Sequence, residues 1–280
     1  MTKRILSSVV LWLVILGALR WFRSSGAVFL IVLISVLTLR ELYRLMAASG
    51  YAPFEKLGMF FGAWITLAPW AEARFGLPSH PLVAFATLVF SVRILGERTP
   101  EKRVEALAST LFGLVYVALL LQYLVRIATP LPFHPGGDPV TETGRLWLVV
   151  WLVAVAKFCD VGALLTGLAI GRHPMAPRIS PKKTWEGAAG GVAMSMGIGA
   201  LVAWLGRAWL PASMSPAHAA LIAFPVAAIA IVSDLIESII KRRADIKDSG
   251  GSIPGIGGIF DVTDSLILAA PVGYFFLGLP

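Results

Sequence analysis

The sequence predicts an all-α, polytopic integral membrane protein with about nine transmembrane helices and a cytoplasmic N-terminus. Three observations support this fold class. Of the residues, 57% are hydrophobic and only 14% are charged. Apolar runs recur at lengths close to a membrane span, and lysine and arginine are divided unevenly between the segments that join them. A water-soluble globular chain carries more charge for its apolar content, so a bilayer is the expected solvent.

The apolar runs define the predicted helices in chain order. A helix needs about 20 apolar residues to cross a hydrocarbon core of ~30 Å. The third run contains Pro69 and the fourth is short, and a re-entrant pair there would leave the downstream topology unchanged. The nine runs are Ile5–Arg20, Ala27–Met46, Leu57–Ala73, Pro81–Leu95, Val104–Ile127, Leu146–Ile170, Ala188–Leu210, Ala217–Ile240 and Ile259–Leu277.

The basic residues set the predicted orientation. Loops rich in lysine and arginine stay in the cytoplasm, and most of the 24 Lys and Arg residues fall on the side of the N-terminus when that end is placed inside. The first run also resembles a signal peptide, but no small-residue cleavage site follows it, and Arg20, Trp21 and Arg23 are typical of an interfacial anchor. The formal charge of +8 fits anionic lipids and substrates better than nucleic acid.

A polar stretch divides the chain into two regions. Ala128–Gly144 contains four prolines and two adjacent glycines, which is typical of an external loop. Residues 1–144 form transmembrane helices without chemical motifs, whereas residues 145–280 hold the motifs and form the predicted catalytic region. The single cysteine, Cys159, excludes a disulfide framework and a cysteine metal cluster.

The first polar feature of the C-terminal region is Lys157 with Asp160, three residues apart on one helix face. A charge at membrane depth costs at least about 2.5 kcal/mol and therefore needs a partner or a polar cavity. The two residues either neutralise each other in the helix bundle or belong to a site, and their position just before the next motif favours a site.

The second feature is Ser180-Pro-Lys-Lys-Thr-Trp-Glu-Gly187, predicted as a cytoplasmic loop that leads into a helix. Lys182 and Lys183 suit phosphate oxygens, and a helix N-terminus favours an anion. The alternative interpretation makes Ser180 or Thr184 an N-cap and the lysines a positive-inside anchor.

The third feature runs from Ser233 to Ser265 and joins the last two helices. Helical spacing places Asp234, Ser238 and Lys241 on one face, and Asp261 and Asp264 share a face at the start of the final helix. Glycines and a proline between the two helices predict a tight turn that brings the acids together. Converging carboxylates beside Lys and Arg suit a nucleoside triphosphate with a divalent ion.

These motifs resemble those of the phosphatidate cytidylyltransferase (CDP-diacylglycerol synthase) family of integral membrane enzymes. The family's C-terminal signature reads Ser-x-x-Lys-Arg, four residues, Lys-Asp, then Pro-Gly-His-Gly-Gly and Asp-Arg-x-Asp, and an upstream element reads Ser-Pro-Lys-Lys-Thr-x-Glu-Gly. The resemblance covers about residues 160–265. The positions in register with the C-terminal signature are Ser238, Lys241, Arg242, Lys247, Asp248, Pro254, Gly255, Gly257, Gly258, Asp261 and Asp264.

Two positions depart from the family pattern. Ile256 stands where the family has His, and Val262 stands where it has Arg. No role for those two side chains is carried over. Loss of the cation at position 262 would weaken triphosphate binding, shift the substrate, or be offset by Arg243 or Arg178.

The resemblance implies that a phosphatidate oxygen attacks the α-phosphate of CTP, giving CDP-diacylglycerol and pyrophosphate. It implies Mg²⁺ as the cofactor, with a second ion left open. The residues that it makes catalytic are Asp234, Ser238, Lys241, Arg242, Asp261 and Asp264, of which Asp234, Asp261 and Asp264 would bind metal. The residues that it assigns to substrate binding are Ser180, Lys182, Lys183, Thr184, Lys247, Asp248 and Asp160.

The expected partners are CTP, phosphatidate and membrane lipids, with no nucleic acid and with a homodimer left open. The expected location is the inner (cytoplasmic) membrane, crossed several times, with the active site facing the cytoplasm. Three alternatives remain: an enzyme that uses CTP on another lipid phosphate such as a polyprenol or isoprenoid-glycerol lipid, a transporter, and a catalytically silent paralogue. A transporter would distribute its charges across the membrane, and retention of the three motif acids argues against a silent paralogue.

Overall fold

The computed structural model describes residues 2–96, 102–130, 140–246, 249–251 and 257–279. Helix α1 spans Thr2–Ala48 and breaks at Arg23, where φ is 52°. This break lies between the first two predicted apolar runs, so the local sequence located it correctly. For residues 2–16 and 18–22, only the helical backbone is described.

The rest of the N-terminal region is also helical. Helix α2 spans Glu55–Phe75 and retains Pro69 in its interior, and α3 spans Pro81–Arg93. Helix α4, Arg103–Gly113, continues through one π-helical segment, Leu114–Leu119, into α5, Leu120–Ala128. These helices cover the third, fourth and fifth predicted runs.

The C-terminal region adds four long helices and one small sheet. Helix α6 spans Glu142–Ile170, α7 spans Trp185–Leu205, α8 spans Pro216–Arg243 and α9 spans Ile259–Phe276. Between α6 and α7, strands β1, Pro174–Ala176, and β2, Ser180–Thr184, form an antiparallel hairpin. The sequence predicted a loop here, because a five-residue strand with two lysines and a proline has little apolar alternation to reveal it.

Within the described ranges, six helices are long and apolar enough to cross a membrane. They are Arg23–Ala48, Arg103–Ala128, Glu142–Ile170, Trp185–Leu205, Pro216–Arg243 and Ile259–Phe276. Many large apolar side chains on these helices are exposed, as Leu168 on α6 and Leu221 on α8 are, and lipid would cover them. The all-α polytopic class is therefore confirmed, while the count of nine spans and the orientation of the N-terminus stay predictions.

The chain forms two compact units. Unit 1 contains Met1–Val125 and Ile240–Thr263, and unit 2 contains Arg126–Ile239 and Asp264–Pro280. In unit 1, α1 packs along α2. In unit 2, α6 packs closely along α7, because glycines on both helices let the backbones approach: a side chain at Gly162 would meet the backbone of Gly190 and Gly191. The predicted motif residues belong partly to each unit.

Candidate active site

Three acidic side chains of unit 2 lie close together. Asp234 and Glu237 are three residues apart on α8 and share one face, and Asp264 lies near the start of α9. One carboxylate oxygen from each residue lies within 4.8 Å of the other two. The side chains are shielded, since Glu237 is buried and Asp264 is 9% exposed. We call Asp234, Glu237 and Asp264 the acid cluster.

Two lysines contact the acid cluster. Lys183 of β2 forms an ion pair with Asp234. Lys157 of α6 donates to Asp264 Oδ1 at 3.1 Å and to Asp160 Oδ2 at 3.4 Å. The pair predicted from the sequence, Lys157 with Asp160, thus exists, and the same ammonium also reaches the acid cluster.

Two serines fix the position of Asp264 and Asp160. Ser233 donates its hydroxyl to the backbone carbonyl of Asp264, which ties α8 to α9. Ser265 donates its backbone N–H to Asp264 Oδ1 at 2.6 Å and its hydroxyl to Asp160 Oδ2 at 3.1 Å. Ser233 and Ser265 are both buried. The carboxylates are therefore held in place before any ligand binds.

Among the described side chains at this place, acids outnumber lysines. Four carboxyl groups, those of Asp160, Asp234, Glu237 and Asp264, meet the ammonium groups of Lys157 and Lys183. Carboxylates crowded in a shielded place repel each other, and a cation among them relieves that repulsion. Carboxylate oxygens are the ligands that Mg²⁺ prefers.

The hairpin holds the predicted Ser180–Gly187 motif. Ser180 begins β2, Lys182 is exposed, and Thr184 ends the strand and caps α7, because its hydroxyl accepts from Gly187 N at 3.1 Å. Thr184 is therefore an N-cap, as one interpretation of the sequence predicted, and its assignment to substrate binding stays a prediction. Of the two lysines, only Lys183 contacts the acid cluster among the contacts that the structure describes.

Glu186 fastens the beginning of this hairpin. Its carboxylate accepts the backbone N–H groups of Arg172 and His173, each at 3.2 Å, and contacts the ring Nδ1 of His173 at 2.5 Å. Glu186 lies in the first turn of α7. The hairpin is therefore anchored at the helix that follows it.

A second polar cluster lies in unit 1 and contains Asp261. Asp261 Oδ1 accepts from Lys241 Nζ at 2.8 Å. Asp261 Oδ2 accepts from the backbone N–H of Ser249 at 3.0 Å, the hydroxyl of Ser249 at 3.0 Å and the backbone N–H of Gly258 at 2.7 Å. The last contact is the reach-back bond of a capping box, since Gly258 precedes α9 and Asp261 is its third residue. We call Asp261, Lys241 and Ser249 the Asp261 cluster.

The structure sorts the predicted site residues as follows. Asp234 and Asp264 lie in the acid cluster, whereas Asp261 accepts its described hydrogen bonds from Lys241, Ser249 and Gly258.

Ser238 is half-buried on α8, and Arg242 is exposed in the last turn of that helix. Lys247, Asp248 and Ile256 lie outside the described residues. No contact described here tests the roles assigned to these residues, which stay predictions.

Sequence reasoning missed two acids. Glu237 follows Asp234 by three residues, so the same helical spacing that linked Asp234 to Ser238 could have included it. Glu41 is buried at the end of α1, although Arg40 and Arg44 beside it are exposed. An acid flanked by two basic residues in the last turns of a helix is usually solvated, so the local sequence does not indicate that Glu41 is buried.

The fold and the site together define a polytopic membrane protein with a shielded cluster of acids and lysines, and comparison with known proteins identifies its family. The sequence model described as "Cytidylyltransferase family" matches residues 2–279. The chain belongs to the cytidylyltransferase family, as the motifs predicted.

Three relatives illustrate the similarity. A protein of Synechocystis sp. named "Phosphatidate cytidylyltransferase" is 32% identical over 302 residues, covering 99% of this chain and 97% of the relative. "Phosphatidate cytidylyltransferase 5, chloroplastic" of Arabidopsis thaliana is 33% identical over 268 residues, covering 87% of this chain and 64% of the relative. The "Phosphatidate cytidylyltransferase" of Brucella suis is 41% identical over 141 residues, covering 50% of this chain and 49% of the relative.

Proposed function

We propose that this protein transfers a cytidylyl group from CTP to phosphatidate, giving CDP-diacylglycerol and pyrophosphate. A phosphatidate oxygen forms a bond to the α-phosphorus of CTP, and the bond from that phosphorus to the oxygen bridging to the β-phosphate breaks. The electron pair leaves with pyrophosphate. Phosphatidate is ionised at neutral pH and needs no general base, so positioning and charge neutralisation are the main tasks of the protein.

The observation that carries the proposal is the acid cluster with its two lysines. Ionisable side chains inside an apolar helix bundle are costly even when they pair with one another, so a group of six of them favours a functional site. A match to the family over nearly the whole chain, and relatives with the printed name "Phosphatidate cytidylyltransferase", support CTP and phosphatidate as the substrates.

The donor set of the acid cluster fits a divalent ion. Asp234, Glu237 and Asp264 each offer a carboxylate oxygen, and these oxygens lie within 4.8 Å of one another, close enough for a small side-chain adjustment to bring them onto one ion. These three residues would hold Mg²⁺, which would neutralise charge on the triphosphate and on the leaving pyrophosphate. Glu237 thus joins Asp234 and Asp264 as a proposed ligand, and the earlier assignment of Asp261 to the metal stays a prediction.

The remaining residues would bind and orient the substrates. Lys157 and Lys183 hold Asp264 and Asp234 in fixed positions, and both ammonium groups carry the charge that attracts phosphate. Lys182, beside Lys183 and exposed, is available to a phosphate. The hydroxyl of Ser238 and the guanidinium of Arg242 retain the roles that the motif assigns to them.

We place the active site on the cytoplasmic side of the inner membrane. The basic residues at the end of α8, Lys241 to Arg243, and those of β2 favour the cytoplasmic face by the positive-inside rule. Most CTP is in the cytoplasm, so a substrate argument points the same way. The homodimer that the sequence left open stays a prediction.

The decisive experiment measures pyrophosphate release by the purified protein in detergent with CTP, Mg²⁺ and phosphatidate, together with mass spectrometry of the lipid product. Parallel reactions replace phosphatidate with a polyprenyl phosphate and an isoprenoid-glycerol phosphate. Asp264→Asn is the inactive control, and Glu105→Gln, an exposed acid outside both clusters, is the matched control.

The proposal expects CDP-diacylglycerol only when phosphatidate is present, loss of at least about a hundredfold in Asp264→Asn and a normal rate in Glu105→Gln. Product from a different lipid phosphate instead of phosphatidate would overturn the substrate assignment. Absence of product with every lipid, from protein that elutes as a single folded species, would overturn the activity.

A further inference from the structure

Helix α1, which carries none of the predicted motif residues, reaches the Asp261 cluster through one buried acid. Glu41 is 6% exposed, whereas the adjacent Arg40 and the nearby Arg44 are exposed. Glu41 therefore faces the interior of unit 1, and a carboxylate there needs hydrogen-bond donors. The donors come from the other end of the sequence, and all of the residues involved belong to unit 1.

Two described hydrogen bonds join Glu41 of α1 to the first turn of α9 and to the segment before it. Glu41 Oε2 accepts the backbone N–H of Phe260 at 2.9 Å and the hydroxyl of Ser249 at 2.8 Å. Phe260 is the second residue of α9, so its N–H has no partner within the helix. Gly258, which occupies the capping position before α9, has no side chain to accept that N–H. Glu41 supplies the missing capping oxygen from a different helix.

Two of the glycines on this segment, Gly250 and Gly258, leave room for the Glu41 carboxylate. A Cβ added at Gly258 would collide with Glu41 Oε2 and with Ser249 Oγ, and a Cβ added at Gly250 would lie 2.9 Å from Glu41 Oε1. A Cβ added at Gly251, by contrast, meets nothing within 4 Å. The close approach of Gly258 and Gly250 is thus specific to the positions that face Glu41.

Glu41 acts on the motif residues through Ser249. The Ser249 hydroxyl lies 2.8 Å from Glu41 Oε2 and 3.0 Å from Asp261 Oδ2, so the two carboxylates share its single proton. Asp261 in turn binds Lys241. Asp261 and Lys241 are motif residues that the family resemblance places in the catalytic set. A shift of Ser249 or of the first turn of α9 therefore moves the Asp261 carboxylate and its lysine partner.

We propose that Glu41 is a positioning residue of the enzyme: it caps α9 from α1 and, through Ser249, sets the orientation of Asp261 and Lys241. In both described bonds the Glu41 carboxylate is the hydrogen-bond acceptor, through the same oxygen, Oε2. The kinetic part of its test rests on the cytidylyltransferase activity proposed above. The capping contact is measured independently, by hydrogen exchange at Phe260.

The test compares Glu41→Ala, Glu41→Gln and Ser35→Ala in detergent. Ser35 also lies on α1 and is buried, but its hydroxyl bonds Thr66, so Ser35→Ala controls for loss of any buried polar contact of this helix. The measurements are kcat and KM for each substrate, and hydrogen exchange of a peptide covering residues 257–263 in the protein without ligand.

Glu41→Ala should lower kcat/KM for CTP by at least about tenfold and speed exchange at Phe260, whereas Ser35→Ala stays within about twofold of the wild type. Glu41→Gln should recover most of the activity, because its amide oxygen can accept both hydrogen bonds. Wild-type kinetics and exchange in Glu41→Ala, or equal losses in Glu41→Gln and Glu41→Ala, would overturn the proposal.

Two glycine variants, Gly258→Ala and Gly251→Ala, test the proposal independently if Glu41→Ala does not fold. Gly258→Ala should lower activity and speed exchange at Phe260, since its methyl group displaces the Glu41 carboxylate, whereas Gly251→Ala should match the wild type. Equal behaviour of the two glycine variants would overturn the proposal. If the wild type makes no CDP-diacylglycerol, the proposed function fails, while exchange at Phe260 still decides the role of Glu41.

Discussion

Lys157 on α6 donates a hydrogen bond to Asp264 on α9 across a distance of 3.1 Å, although 107 residues separate them in the sequence. The ammonium also binds Asp160, so one lysine holds two carboxylates. Its side chain is 24% exposed and that of Asp264 is 13% exposed. Shielding of this degree strengthens the attraction relative to a surface pair, and it makes removal of either partner costly.

Replacement of Lys157 by Met should destabilise unit 2 and reduce activity. The change keeps most of the side-chain volume but leaves Asp160 and Asp264 without their shared ammonium, at an expected cost of about 1–3 kcal/mol. Thermal unfolding in detergent and the rate of CDP-diacylglycerol formation measure the two effects. Lys182→Met, which changes an exposed lysine, is the control for the unfolding temperature. Equal unfolding temperatures for the two variants would contradict the structural role of Lys157.

Glu237→Gln should weaken Mg²⁺ binding without unfolding the protein. The substitution keeps the shape of the side chain and removes one of the three carboxylates of the acid cluster. The Mg²⁺ concentration for half-maximal rate should rise at least about tenfold, and the stabilisation of the protein by Mg²⁺ in a thermal unfolding experiment should shrink. Unchanged Mg²⁺ dependence would remove Glu237 from the proposed ligands.

The adjacent lysines Lys182 and Lys183 should behave differently when each is replaced by Met. Lys183 pairs with Asp234, so its loss should change the Mg²⁺ dependence of the reaction. Lys182 is exposed, so its loss should raise KM for CTP and leave the Mg²⁺ dependence as it was. Kinetics at several Mg²⁺ and CTP concentrations separate the two effects. If Lys182→Met and Lys183→Met had the same Mg²⁺ dependence and the same KM for CTP, the ion pair of Lys183 with Asp234 would have no effect on the reaction.

Asp261→Asn and Asp264→Asn should separate positioning from metal binding. The Asp264 carboxylate belongs to the acid cluster, so Asp264→Asn should abolish activity and the response to Mg²⁺. Asp261 accepts from Lys241, Ser249 and Gly258, so Asp261→Asn should slow the reaction while the Mg²⁺ dependence of the remaining rate is kept. A Mg²⁺ dependence that shifts in Asp261→Asn would instead support the assignment of Asp261 to the metal.

Much of the fold could be predicted from local sequence. Apolar runs near the length of a membrane span identified the helices, and the polar gap after Arg20 located the break of α1 at Arg23. The π-helical segment and the hairpin could not be predicted. The first differs from an α-helix only in its hydrogen-bond partners, and the second lacks the alternation of apolar residues that marks a strand.

By itself, the sequence determined the membrane class, the family and the residues that carry charge into an apolar helix bundle, because hydropathy and motif spacing are local properties of a chain. Only the tertiary structure decided which distant charges meet. It placed Glu237 and Asp234 with Asp264, gave Asp261 hydrogen bonds from Lys241, Ser249 and Gly258, and brought Glu41 to Phe260 across 219 residues. Contacts of that separation depend on how whole helices pack, and no local pattern records that packing.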